Sequence, residues 1–354
     1  MFAKRVAIAA FVFLLLVSGF FLIYKTASFF LLVFSGILLA VLLCGITDWL
    51  VKKLHFKRGI TLFLVALLVF GSIIGVFWLI APTIAAQFNE MRETLPKALN
   101  QIESWLSQYN WGEKLVQKVP EDLSKVMPQQ KALLSRVGGA FSTTLSFLAD
   151  FLIVIITALF FASNPGLYTE GLIKLFPVRN RTRLQEVLDK CYHTLKMWLI
   201  GMLSAMAIIG VSTAIGYSLI GLPMAFALAL IAFFLAFIPN IGPWIAGLPA
   251  VLIGLLEGPQ MALYVILVYG GIQMVETYII TPIIFQKTVD LAPALLLFFQ
   301  VLLGMLLGAL GLLMSAPLLA VLVVIVHELY VKDVLEAVPL NAGKEPTPGT
   351  SSEV

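Results

Sequence analysis

Charge is what this sequence has least of: Asp, Glu, Lys and Arg make up 12% of its 354 residues, against 60% hydrophobic residues. Soluble domains carry about 25% charged residues, so the shortage excludes a water-solvated globule. Cysteine is nearly absent too. Cys44 sits inside an apolar run and Cys191 in a basic segment, a spacing that supports neither a disulfide framework nor a metal site. The three histidines, His55, His193 and His327, are isolated from one another, and His327-Glu328-Leu329-Tyr330 lacks the second histidine of a zinc-protease helix. No phosphate-cradling P-loop occurs, so ATP-driven transport would need a separate subunit. No enzyme activity, cofactor or metal is expected. The formal charge of +4 gathers in short basic clusters beside apolar spans rather than along a nucleic-acid-binding face, so no nucleic-acid partner is expected either.

What the chain does have is apolar runs of roughly 18 residues or more, the length that crosses a hydrocarbon core. The pattern predicts an all-α polytopic membrane protein that uses lipid as its solvent. A first span covers residues 6–24 and a second 27–46, with a tight turn at Lys25-Thr26. The first run is too long for a signal-peptide core and no Ala-x-Ala site follows, so it reads as a retained helix. Lys4 and Arg5 at one end of this pair, and Lys52, Lys53, Lys57 and Arg58 at the other, place both ends in the cytoplasm by the positive-inside rule. A third span, 59–81, leads outward to Pro82. Beyond it Ile84, Phe88, Met91, Leu95, Ala98, Ile102, Trp105 and Tyr109 repeat at helical steps, divided by Pro96. Residues 82–142 thus read as an extracytoplasmic helical excursion, packed on itself or on a neighbouring subunit. A fourth span, 143–162, carries Asp150 about two turns in. The basic segment after it holds a stripe of Leu184, Leu188, Cys191 and Leu195, expected to lie on anionic headgroups before a fifth span, 197–220.

The pattern breaks between Leu222 and Glu257, a stretch too long for one span and too short for two. Ile238-Pro239-Asn240-Ile241-Gly242-Pro243 cannot continue a helix, because each proline removes a backbone donor and clashes with the preceding turn. Backbone freed at membrane depth must be buried in protein or line a watery cavity. The economical solution is a re-entrant hairpin with arms at 223–237 and 244–256 and a tip at 239–243. A sixth span, 261–285, places Gln273, Glu276, Thr277 and Ile280 on one face and closes at Thr281-Pro282. Glu276 is either a structural hydrogen-bonding group or a contact for solute, cation or proton, since an ionisable residue inside an apolar span is costly. The run 294–327 then holds Gly304, Gly308 and Gly311, followed by Ser315-Ala316-Pro317. It reads as a second hairpin, open toward the cytoplasm, with plain small-residue helix packing at Gly304/Gly308 as the alternative. Two broken segments entering from opposite faces point to a transporter binding site near the midplane. The regions are therefore 1–81, three N-terminal spans; 82–142, the excursion; 143–196, the fourth span and interfacial helix; 197–330, a transport core; and 331–354, a polar tail.

Phe237-Ile238-Pro239-Asn240-Ile241-Gly242-Pro243, Leu248-Pro249-Ala250, and Glu276 with Thr281-Pro282-Ile283-Ile284 resemble the autoinducer-2 exporter family of bacterial permeases. So do Val289-Asp290-Leu291-Ala292-Pro293 and the run from Gly304 to Ser315-Ala316-Pro317-Leu318-Leu319-Ala320. The resemblance is strongest over 195–330. It implies a homo-oligomer, a pentamer, in the bacterial inner membrane, working by an elevator-like mechanism with two helical hairpins and without enzyme activity. The family includes exporters of autoinducer-2, a small polar furanone-derived signal, and sodium(lithium)/proton antiporters. Solute export would use the hairpin tips, with Pro239, Asn240, Gly242, Pro243, Gln273, Glu276, Thr277, Pro282, Gly304, Gly308, Gly311 and Pro317 as site residues. Cation antiport would use Glu276 and Asp150 as its carboxylates. A third reading is a non-transporting membrane scaffold that docks partners through 83–140.

Overall fold

The computed structural model describes residues 2–72, 74, 75, 78, 82, 149–282 and 292–336, and every regular element among them is helical. In chain order these are α1 (Phe2–Leu54), α2 (Arg58–Ser72), α3 (Ala149–Ser163), α4 (Pro165–Lys174), α5 (Val178–Leu219), α6 (Ala225–Leu235), α7 (Gly242–Glu257), α8 (Pro259–Ile280) and α9 (Pro293–Leu335). Four are long and apolar enough to cross a membrane, and α3 with α4, bent by 85° at their junction, make a fifth if counted together. The chain is a multi-pass membrane protein.

Two expectations fail before the first reversal. Lys25-Thr26 does not turn. The helix runs through it without interruption from Phe2 to Leu54. Neither residue is a glycine or proline, so nothing there withdraws a backbone donor, and propagation costs less than a break. At 53 residues the rod is about 80 Å long, far more than one hydrocarbon thickness. One rod replaces the pair of spans, and the argument that put Lys4 and Arg5 on the same side as Lys52 loses its basis. The interfacial helix is corrected as well, because it and the fifth span are one element, α5, of 42 residues. No proline lies within Val178–Leu219 to separate them. The stripe expected on headgroups faces protein instead, with Val187 and Cys191 packing on Val324 of α9.

α5 is the axis of the molecule. Trp198, Leu199, Met202 and Met206 meet Leu31, Leu38 and Val41 of α1 and Leu296, Met314 and Leu319 of α9 in one apolar core. Further along, Ile209 and Tyr217 meet Ala227 and Leu228 of α6, Ala246, Ala250 and Ile253 of α7, and Val265 of α8. A third cluster joins α1, α2 and α3 through Leu43, Val65, Ala158 and Ala162. Burying a leucine-sized side chain stabilises by about 1.5–3 kcal/mol relative to water. In lipid that term is small, and close packing with internal hydrogen bonds does the holding. Gly216 illustrates this: a Cβ there would lie 2.6 Å from Val268 Cγ1, so α5 and α8 touch at backbone distance.

The excursion 83–140, the connection 286–291 and the tail from 337 onward lie outside the described residues. So do Ile283, Ile284, Val289, Asp290 and Leu291, which carried part of the resemblance.

Candidate functional site at two helical reversals

α6 and α7 are arms of 11 and 16 residues, about 16 and 24 Å long, each shorter than the hydrocarbon core. Between them the chain reverses over 236–241. Ile238 N–H donates to the Leu235 carbonyl at 2.9 Å and Gly242 N–H to the Ile238 carbonyl at 2.9 Å, which satisfies backbone groups that the prolines free. Asn240 takes the left-handed conformation, φ +66°, and is exposed. Gly242 begins α7, with Pro243 in its first turn, where a missing N–H costs nothing. The expected tip residues 242–243 are thus the first turn of the second arm. A Cβ on Gly242 would stand 1.8 Å from the Leu235 carbonyl oxygen, so the arms cross backbone to backbone there.

The second reversal lies within α9. Gly308 has φ +66° and ψ −147°, outside helical space. A Cβ on Gly311 would lie 2.2 Å from the Leu303 carbonyl oxygen. In a straight helix these residues stand about 12 Å apart. Although Pro293–Leu335 passes as one apolar helix by length, its first part, 293–307, folds back against 309–326. Gly308 therefore turns the chain, while Gly304 is helical and faces Leu312 across the reversal, so the two do not form one straight small-residue seam. Pro317 is fully buried in the second arm.

A side chain that the sequence reading passed over links the two reversals. Gln300, fully buried on the first arm of α9, donates from Nε2 to the Pro239 carbonyl at 3.0 Å. Its Oε1 is buried with no partner among the described residues. From the other side the Tyr269 hydroxyl donates to the Pro243 carbonyl at 3.1 Å. The Trp198 ring meets Phe237 edge-on, centroids 5.7 Å apart. Tyr269, Gln273 and Glu276 follow one another at four- and three-residue steps, which puts them on one face of α8. The Tyr217 ring lies 6.2 Å from that of Tyr269, and among the described residues its hydroxyl, the Thr213 hydroxyl and Gln273 Nε2 are buried with no hydrogen bond of good geometry.

Glu276 is half-buried, and its carboxylate accepts from Thr281 Oγ1 at 2.7 Å and Thr277 Oγ1 at 3.2 Å. None of the ion pairs among the described residues includes it. It opens a π-helical turn, Glu276–Ile280, in which Thr281 N–H reaches the Glu276 carbonyl. Such widened turns gather at functional sites. Thr281 and Pro282 are themselves helical, and the residues after them lie outside the described ones. Asp150 is exposed near the start of α3, and no described contact brings it to Glu276. The structure thus gathers Pro239, Asn240, Gly242 and Pro243 with Gln300 and Tyr269, sets Gln273, Glu276 and Thr277 along the adjoining helix, and leaves Asp150 apart. A signal for Gln300 was present: it is the one amide side chain in the apolar run from Pro293 to Val326.

The AI-2E family transporter profile matches residues 8–331, nearly the whole chain. The chain belongs to the AI-2E transporter family. It is 25% identical over 312 residues to YueF of Bacillus subtilis strain 168, a protein named for transport, covering 85% of this chain and 84% of that one. It is also 25% identical over 304 residues to the AI-2 transport protein TqsA of Escherichia coli K12, covering 82% of each. YrrI of B. subtilis matches at 25% over 316 residues, 88% of this chain and 89% of the relative. These matches run through both reversals of this AI-2E family chain and support a role in membrane transport.

Proposed function

We propose that this chain is a secondary active transporter that exports a small polar solute across the bacterial inner membrane, with the two reversals as re-entrant hairpins whose tips meet the solute. The observation that carries the reading is the Gln300–Pro239 bond, which joins two broken helices inside otherwise apolar surroundings. Irregular backbone at membrane depth persists where it serves a site. The finer reading has the two hairpins, a cytoplasmic C-terminus, and a homo-oligomer, a pentamer, in which the hairpin unit moves elevator-like against its neighbours. The solute is of the autoinducer-2 kind, by analogy with the name of TqsA. Cation/proton antiport is the second reading, favoured by a carboxylate at Glu276 that, among the described residues, meets hydroxyls and no cation.

The deciding experiment loads proteoliposomes with autoinducer-2 and follows efflux with and without an imposed proton gradient. Gradient-dependent efflux supports the export reading. Lithium- or sodium-dependent proton release without solute efflux moves the assignment to antiport. No flux of either kind leaves only a scaffold.

A further inference from the structure

Gln300 is the most deeply buried polar side chain at the reversals, and only half of its amide is used. Its orientation is fixed by chemistry: the Pro239 carbonyl can only accept, so Nε2 must face it and Oε1 is left as a free acceptor. A buried amide oxygen without a donor is costly, and native proteins leave few of them unexplained. We propose that Gln300 Oε1 is a solute contact that accepts a hydrogen from an O–H or N–H of a neutral solute held against the Pro239–Pro243 tip. The inference rests on the transport reading of the tips and adds the chemical class of what binds there.

Three alternatives for the occupant are disfavoured by what surrounds it. An anion would meet an amide oxygen and the carbonyl of Pro239, both electron-rich. A dehydrated cation needs several oxygens at once, and among the described residues no carboxylate is paired or bonded at Gln300. Among the described residues no further protein group reaches Oε1. A donor-bearing neutral solute also suits the Tyr269 hydroxyl, which already reaches the tip at the Pro243 carbonyl. Sites built to hydrogen-bond a hydroxyl strongly reject the analogue that lacks it.

The test measures equilibrium binding to the full-length purified protein of autoinducer-2, of an analogue with its hydroxyls replaced by hydrogen, and of lithium. Wild type should bind autoinducer-2 at least about tenfold more tightly than the deoxy analogue. Gln300→Met keeps the side-chain length but has neither donor nor acceptor of comparable strength, and should lose that preference. Gln300→Glu in its neutral form keeps a donor for Pro239 and a carbonyl acceptor, and should retain most of it. Matching elution profiles and melting curves identify variants that stay folded, and Gln300→Glu preserves the test if Gln300→Met does not. The inference falls if wild type shows no preference for the hydroxylated probe, if it binds lithium in its place, or if a folded Gln300→Met protein keeps the preference because a buried water had satisfied Oε1. Flux separates the two readings: efflux that survives in Gln300→Met with unchanged binding refutes this inference alone. Binding that depends on Gln300 without any efflux refutes the transport reading alone.

Discussion

Adding one methyl group at Gly242 should damage the protein more than adding one at Gly304, although both glycines sit in apolar helical hairpins. At Gly242 the new carbon would stand 1.8 Å from the Leu235 carbonyl oxygen and 2.7 Å from its carbon, both backbone atoms that cannot swing aside. To restore a 3.0 Å contact the arms α6 and α7 must part by about 1.2 Å, which also loosens the turn that holds Asn240 and the Pro239 carbonyl. Overpacking of this kind costs about 3 kcal/mol at its upper end. For a chain of 354 residues that corresponds to a fall of about 4 °C in the unfolding midpoint. At Gly304 the nearest atom is Leu312 Cδ1, at 3.6 Å, an ordinary contact with a mobile side-chain end, and the change should be near neutral. The assay is thermal unfolding of Gly242→Ala and Gly304→Ala in the same detergent, read by tryptophan fluorescence and by size-exclusion recovery. Equal midpoints would show that the arms do not cross at Gly242. The steric reading also changes what the proline-glycine break means: replacing Gly242 does not simply restore a continuous helix, because the chain has already reversed when it reaches that residue.

Further expectations concern charge and topology. Glu276→Gln removes the carboxylate charge and leaves one acceptor oxygen where two accept from Thr277 and Thr281, so flux should fall; a wild-type rate would make Glu276 structural. Glu328→Gln leaves Arg183, Lys190 and Lys332 facing a neutral amide and should cost about 2 kcal/mol, less than a fully buried pair because the cations are 30%, 48% and 41% exposed; an unchanged melting point would show the cluster to be ornamental. After Cys44→Ser and Cys191→Ser, a membrane-impermeant thiol reagent on intact cells should label Asn100→Cys and spare Asn180→Cys, and strong labelling of the second would overturn the topology.

The first reversal was legible because Pro239, Gly242 and Pro243 fall within six residues of an apolar stretch, and no helix tolerates that density of breakers. Its arms begin and end within two residues of the expected limits, save that the sequence cannot tell a tip residue from the first helical turn, where proline is welcome. The second reversal was open to two readings because Gly304, Gly308 and Gly311 serve a turn and a packing seam equally well; only the backbone angles at Gly308 separate them. Lys25-Thr26 misled for the opposite reason. Polarity was read as a turn where no residue forces one, and a polar pair is compatible with helix. Gln300 was passed over because its importance is tertiary, residing in a carbonyl 61 residues earlier in the chain. Glycine and proline write local instructions that can be read in isolation. An amide becomes informative only once its partner is known.

Two carboxylates stand in contrasting polar surroundings. Glu328, 4% exposed, is held by Arg183 at 3.0 Å, Lys190 at 2.7 Å and Lys332 at 2.8 Å, and Arg183 also reaches Asp333 and Glu186. Freeing it would strand several charges at once, so this joint between α5 and the end of α9 is built to stay closed. Among the described residues Glu276 has two neutral donors, both from its own segment. The tips follow the same rule: each contact that holds them, Gln300 to Pro239 and Tyr269 to Pro243, is a single neutral hydrogen bond. Each contributes about 1 kcal/mol net, little enough for thermal motion to break and remake. A transporter needs one part that does not yield and one that does. Among the described residues the ion pairs of Glu328 lie at the joint of α5 and α9 and none reaches Glu276 or the tips, so removing Glu328 should be read in stability, and removing Glu276 in flux.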